Sequence, residues 1–389
     1  MENKKFTPAD LSFDSLTVHG NMGHDSHVHA VSFPIYQTST YINTNFGGDI
    51  DFSYTRCANP TREELEKTVA LLEGAKYGFA FTSGLAAETA LFSTLSQGDH
   101  IVIGDDIYGG TYRLTQQLFA RLGVEYTVVD FSYPERVEAA VNPNTKMLYV
   151  ETPTNPMMKV CDIRAISEIS KKHGVLFVVD NTFMTPVFQK PLSLGADVVI
   201  HSGTKYLAGH HDTMAGFLLT SNEELNEKVQ FVKNTEGSAL APFDSWLVLR
   251  GIKTLSLRMR KHEENAIAVA KWLENNKNVD KVFFVGLDSH PSKKIVDSQC
   301  TGYGGMLSFT LKDASMVRSA LCDYNMIMFA ESLGGAQTLI TYPLTQTHAS
   351  IPKEIRDSIG ITETLLRLSV GIEDANDIIK DLASVLGDN

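Results

Sequence analysis

Four segments of this 389-residue chain bring together side chains whose types and spacing could do chemistry. In Ile200-His201-Ser202-Gly203-Thr204-Lys205-Tyr206, two hydroxyls precede a lysine just past an apolar run. Ser202 and Thr204 can hold a phosphate while Lys205 presents an amine, and a lysine held in a pocket can lose its proton and become a nucleophile. Taken alone, such a lysine is more often a solvated surface residue. In Val178-Val179-Asp180-Asn181-Thr182 an acid closes an apolar run. A charge there must meet a cation, hydrogen-bond donors or a metal, because an unpaired one is costly. Thr82-Ser83-Gly84-Leu85-Ala86-Ala87 puts small residues where a helix begins. Bare backbone N–H groups and the positive end of the helix dipole make that a phosphate cradle, although alone it is more often an ordinary turn. In Asp106-Ile107-Tyr108-Gly109-Gly110-Thr111-Tyr112-Arg113, glycines let the Tyr108 ring lie close to a ligand.

Together these are the parts that pyridoxal phosphate requires. That cofactor is an electron sink held through a lysine, with an acid on its pyridine nitrogen. Two other classes fit less well. A nicotinamide oxidoreductase should show a glycine fingerprint with an acid about 20 residues on, and the chain has neither this nor a Walker loop. A non-catalytic binding protein would explain an acidic surface, but not a strand-end Asp and Lys accompanied by phosphate-holding hydroxyls.

The elements that must position these residues follow from the pattern. Asn59-Pro60-Thr61 predicts a helix start, with Asn as cap and Pro at the first helical position, and Gly74 predicts its end. Short apolar runs follow at Tyr77 to Phe81, Ile101 to Ile103, Val124 to Val129, Met147 to Val150, Val175 to Val179 and Val198 to Ile200. Helical patterns separate most of them, among them Gly84 to Leu95 and Gly110 to Leu122. This alternation predicts an α/β fold with a mostly parallel sheet covered on both faces, and ligands then bind at the carboxyl ends of the strands. Beyond Leu219 the pattern changes to amphipathic helices (Asn222 to Val232, His262 to Lys277), an alternating run at Met306 to Leu311 and a terminal helix from Asp374 to Leu386. We expect an N-terminal arm over 1–55, a large domain over 56–250 and a smaller α+β domain over 251–389.

Composition narrows the class. A net charge of −12, with 43% hydrophobic residues, describes a folded protein without the basic footprint that nucleic-acid binding needs. No run approaches the ~18 apolar residues of a membrane span. The first residues lack the apolar stretch of a signal peptide, and Cys57, Cys161, Cys300 and Cys322 show no ligand-like spacing. A cytoplasmic protein is expected. His19, His24, His27 and His29 lie in an irregular stretch, and the adjacent His210 and His211 would diverge rather than converge on one ion, so no metal site is expected.

In these motifs the chain resembles the Cys/Met-metabolism enzymes of fold-type I pyridoxal phosphate proteins, which include cystathionine lyases and synthases. The resemblance runs from about Phe33 to the end. It is carried in order by Tyr54-Thr55-Arg56 with Asn59-Pro60-Thr61, Ser83-Gly84-Leu85, Tyr108-Gly109-Gly110-Thr111, Glu151-Thr152-Pro153-Thr154-Asn155-Pro156, Asp180-Asn181-Thr182, Ser202-Gly203-Thr204-Lys205-Tyr206 and Leu366-Arg367-Leu368-Ser369-Val370-Gly371.

The resemblance implies a seven-stranded-type sheet and a role for each position. Lys205 would bind pyridoxal 5'-phosphate covalently and move protons, Asp180 would pair with its ring nitrogen, with Thr182 beside it, and Tyr108 would stack on the ring and act in acid–base steps. Ser83, Gly84, Leu85, Ser202 and Thr204 would hold the phosphate, joined by Tyr54 and Arg56 of a neighbouring subunit in a homotetramer. Arg367 would clamp the substrate carboxylate, helped by Asn155, Ser332 and Leu333. Glu331 and Arg113 resemble residues that handle the distal part of cystathionine in γ-lyases and γ-synthases, so γ-elimination is expected ahead of β-elimination. Gly110, where methionine γ-lyases carry Cys, counts against that activity. Gly203 and His211 depart from the Ala and Ser common in the family.

Overall fold

The Asn59 carboxamide oxygen accepts from the Thr61 N–H at 3.0 Å, and Pro60 sits where no N–H is needed, so a helix starts there. It runs Pro60–Glu73 and stops at Gly74, whose φ of +78° is a left-handed cap that glycine adopts without strain. The computed structural model describes residues 7–388 apart from 24, 26, 44, 49 and 350. His24 and the first six residues of the expected arm therefore lie outside the described residues.

Twelve strands follow in chain order among the described residues: β1 (Tyr77–Phe81), β2 (His100–Gly104), β3 (Glu125–Val129), β4 (Thr145–Glu151), β5 (Leu176–Asp180), β6 (Val198–Ser202), β7 (Gly216–Thr220), β8 (Val279–Phe283), β9 (Met306–Leu311), β10 (Met328–Phe329), β11 (Leu339–Thr341) and β12 (Leu365–Ser369). The chain divides into two compact units, Met1–Leu95 with Asp197–Ser256, and Ser96–Ala196 with Leu257–Asn389.

In the first unit the strands run β1-β7-β6, and β7 is antiparallel to both neighbours. Residues 203–215 join β6 to β7 without a helix. A parallel partner needs a long crossover, so a direct connection of this kind makes an antiparallel pair. All five residues of β7 are buried.

In the second unit the strands run β5-β4-β2-β3, all parallel, as the alternation predicts. The helix Ile163–His173 crosses from β4 to β5, capped by the Asp162 carboxylate, which accepts from Ala165 N at 3.1 Å. Its Ile163, Ile166 and Ile169 pack on Val102, Leu148, Val150, Phe177 and Val179 of the strands. The helix predicted from Gly110 to Leu122 forms as an α-turn (Gly109–Arg113), a wider π-type turn (Leu114–Phe119) and a 3-10 turn (Ala120–Leu122). The Thr115 hydroxyl donates to the Thr111 carbonyl at 2.9 Å, the acceptor that a regular α-helix would give to the Thr115 N–H. The same unit holds a five-stranded sheet in the order β10-β11-β12-β9-β8. Its Leu307, Phe309, Leu366 and Leu368 share a core with Ala266 to Leu273 and with Ile378 and Leu382 of the helix Ala375–Leu386.

Candidate functional site

In the first unit, Ser83 follows β1 and its hydroxyl accepts from Ala86 N at 3.1 Å, which starts the helix Gly84–Phe92. That helix start backs onto the end of β6. A Cβ on Gly84 would lie 3.2 Å from the Ser202 Cβ, and one on Gly216 would lie 1.9 Å from the Ser83 carbonyl oxygen. Only glycine fits at 216. The first turn of that helix therefore packs directly on the Ser202 end of β6, and its N–H groups together with the Ser202 hydroxyl are the donor types that a phosphate takes. Leu85 is the second residue of that helix.

The Thr204 hydroxyl donates to the Ala215 carbonyl at 3.2 Å and accepts from Ala215 N at 3.0 Å, so it braces the loop that carries Lys205. The Lys205 backbone is fixed on both sides, its N–H donating to Ser202 O at 3.2 Å and its carbonyl accepting from Gly209 N at 2.8 Å. His211, at a φ of +56°, is held below the ordinary histidine range by burial and then by the Lys205 charge, which places the ammonium within electrostatic reach. Arg56 lies over the Tyr54 ring at 5.6 Å and donates to the Asn234 carbonyl. Both side chains are exposed.

In the second unit, β4 and β5 end on acids in register, Glu151 opposite Asp180. The Asp180 carboxylate accepts from Thr182 N at 2.8 Å, a local turn that fixes it at the strand end. Glu151 accepts from Tyr108 N at 2.6 Å and so holds the loop after β2. Tyr108 itself is 39% exposed. Gly109 and Gly110 are buried in the turn that follows, and Arg113 at its end is exposed. Asp106, fully buried beneath this loop, accepts from Met157 N at 3.1 Å and from the Thr154 hydroxyl. Burial pushes its carboxyl up to about 6 against the pull of Thr154 and Lys159.

Asp106 thereby anchors the segment that contains Asn155. Arg367, 1% exposed on β12, donates from Nη1 to Asn155 Oδ1 at 2.9 Å, and from Nη2 to the Ser332 carbonyl at 2.9 Å and the Thr341 hydroxyl at 3.0 Å. None of these three acceptors carries charge. Ser332 takes a φ of +81°, a left-handed conformation uncommon outside glycine. Leu333 beside it is buried and Glu331 is exposed. The sequence reading brings Arg367, Asn155 and Ser332 together, and the structure does so by direct bonds. It missed Glu151, Asp106 and Thr341 as supports. The strand-end logic applied to Asp180 would have found Glu151, whereas nothing in the sequence marks Thr341.

The sequence model of the family described as Cys/Met metabolism PLP-dependent enzyme matches residues 14–387. The chain is 48% identical to cystathionine gamma-lyase of Bacillus subtilis, over 96% of this chain and 98% of that one. It is also 48% identical to cystathionine beta-lyase of Lactococcus lactis subsp. cremoris, over 96% and 99%. The crystal structure of cystathionine gamma-lyase from Lactobacillus plantarum complexed with L-serine superposes with a TM-score of 0.94 at 40% identity, covering 97% of this chain and 100% of that one. The fold-type I architecture that the motifs imply is the fold of that solved structure.

Proposed function

Because the chain belongs to the family of Cys/Met metabolism PLP-dependent enzymes, we propose that it cleaves a carbon–sulfur bond in cystathionine or a related sulfur amino acid, with γ-elimination to cysteine, 2-oxobutyrate and ammonia as the main route. Pyridoxal 5'-phosphate, the family's cofactor, supplies when bound an electron sink for charge developing on the substrate. The N–H groups at Gly84 and Leu85 and the hydroxyls of Ser83, Ser202 and Thr204 would hold its phosphate, joined by Tyr54 and Arg56 of a neighbouring copy. Lys205 would hold the cofactor covalently and take protons from the substrate Cα and Cβ. Asp180 would pair with its ring nitrogen, and Tyr108 would lie beside its ring and serve as proton donor to the departing sulfur.

The observation that carries this reading is the clamp of Arg367 and Asn155, a buried arginine aligned with a carboxamide as an amino-acid carboxylate requires. Glu331 directly precedes Ser332, whose carbonyl anchors Arg367. An exposed acid one residue from the clamp supports a grip on the distal ammonium of cystathionine, with Arg113 on its carboxylate, and so favours the γ-route. Equal identity to a γ-lyase and a β-lyase keeps β-elimination to homocysteine, pyruvate and ammonia as the second reading. A γ-synthase is the third, and Gly110 argues against a methionine γ-lyase.

A homotetramer with shared sites is supported by the exposed apolar side chains of Val28, Val31, Ile42 and Phe46 in the arm, which a neighbour would cover. No described helix is long and apolar enough to cross a membrane. Substitution Lys205→Ala is expected to abolish turnover and the visible absorption of the covalently held cofactor. Retained turnover would contradict the assignment.

A further inference from the structure

In the first unit, the helix Glu223–Glu236 ends at Gly237, whose φ is +78° and whose N–H donates to the Lys233 carbonyl at 3.0 Å. The next carbonyl, on Asn234, is among the last four that a helix leaves without a partner of its own. Arg56, 178 positions earlier, donates to it from Nη1. The Arg56 stem also lies on the cap itself, since a Cβ on Gly237 would sit 3.3 Å from the Arg56 Cδ. Its guanidinium lies over the Tyr54 ring, whose own residue is tied down, the Tyr54 carbonyl accepting from Cys57 N at 3.0 Å and from Ala58 N at 3.1 Å. An exposed arginine is thus held at its stem, at one nitrogen and across its plane.

Such holding costs side-chain freedom that a solvated arginine would keep. A helix C-terminus offsets part of that cost, because its dipole favours a cation there. The acceptor is a neutral carbonyl, so the guanidinium keeps its charge for an anion. The support is also firm. Beyond Gly237 the chain runs beside β1, where Thr82 N donates to the Ser238 carbonyl at 3.0 Å and Leu240 N to the Ala80 carbonyl at 3.0 Å.

We propose that this helix end, through the Asn234 carbonyl and Gly237, is a positioning element that sets Arg56 in place for the cofactor phosphate of a neighbouring subunit. This rests on reading Arg56 as a phosphate residue. The test titrates the apoenzyme with pyridoxal 5'-phosphate and reads Kd from the visible absorption of the bound cofactor. Arg56→Ala should raise Kd about 30-fold. Gly237→Ala, which crowds the Arg56 stem, should raise it about fivefold. Gly74→Ala is the control. Gly74 also caps a helix of 14 residues at a φ of +78°, but a Cβ there meets nothing within 4 Å. It carries the same backbone strain without touching Arg56, so Kd should change less than about twofold. In an Arg56→Ala background, Gly237→Ala should leave Kd unchanged, because the group it positions is gone. An unchanged Kd in Arg56→Ala alone would overturn the reading of Arg56, and this proposal with it. If Arg56→Ala weakens binding as expected, a Gly237→Ala effect no larger than that of Gly74→Ala, or one that persists without Arg56, would overturn the positioning role alone. If Gly237→Ala does not fold, Gly237→Asn carries the same cycle, since asparagine tolerates the left-handed conformation.

Discussion

Arg367 Nη1 donates to Asn155 Oδ1 at 2.9 Å, and by that bond a residue on β12 decides which way a carboxamide 212 positions earlier points. With Oδ1 taken by the guanidinium, the other half of the Asn155 amide is an NH2 donor. A guanidinium and an amide so aligned offer donors to one carboxylate.

Removing the guanidinium therefore removes binding common to ground and transition states. Arg367→Ala should raise KM for L-cystathionine by about 100-fold, since hydrogen bonds to charged groups contribute about 1.5–3 kcal/mol each, with kcat largely kept. Asn155→Asp should raise KM by a similar factor for another reason. Its carboxylate would pair with Arg367 and occupy the donors that the substrate needs. Steady-state kinetics on both variants check this, and a loss confined to kcat would mean that the clamp acts on the reacting atoms.

Two buried groups, Asp106 and His348, give stability opposite pH dependences. The Asp106 carboxyl rises from 3.8 to about 6 on folding, so its contribution is full below pH 3.8 and is lost as pH rises through about 6. His348 falls from 6.5 to about 4, so its contribution is present above pH 6.5 and is lost as pH falls through about 4. Asp106→Asn keeps an oxygen for Met157 N and Thr154 but cannot ionise. Thermal melts should show its Tm about 3 °C above wild type at pH 8 and equal to it near pH 4.

Gly203 stands against Phe217. A Cβ there would lie 2.4 Å from the Phe217 ring and 3.0 Å from the Ala215 Cβ, and Phe217 is fully buried. Gly203→Ala should cost about 1–3 kcal/mol by overpacking. Phe217→Leu in the same chain should recover part of that, so the double variant is less destabilised than the two singles together. Denaturant unfolding of the four proteins measures it. Simple additivity would mean that the ring is not the obstacle.

Much of this architecture is legible in local sequence. Apolar runs at 147–150 and 175–179 mark β4 and β5 because two-sided burial needs uninterrupted hydrophobic strands, and the acid after each run lands at its carboxyl end. Lys205 and Ser83 are legible for the same reason. The antiparallel course of β7 is not, since direction depends on how residues 203–215 turn rather than on the apolar run itself. Nor is the support around Arg367, where Asn155, Ser332 and Thr341 converge from separate loops and strands.

The most direct test is to incubate the pure holoenzyme with L-cystathionine and identify the thiol released. The γ-reading, with Glu331 and Arg113 gripping the distal end, predicts cysteine together with 2-oxobutyrate. Homocysteine with pyruvate would contradict it, and would show that these two residues do not decide which carbon–sulfur bond breaks.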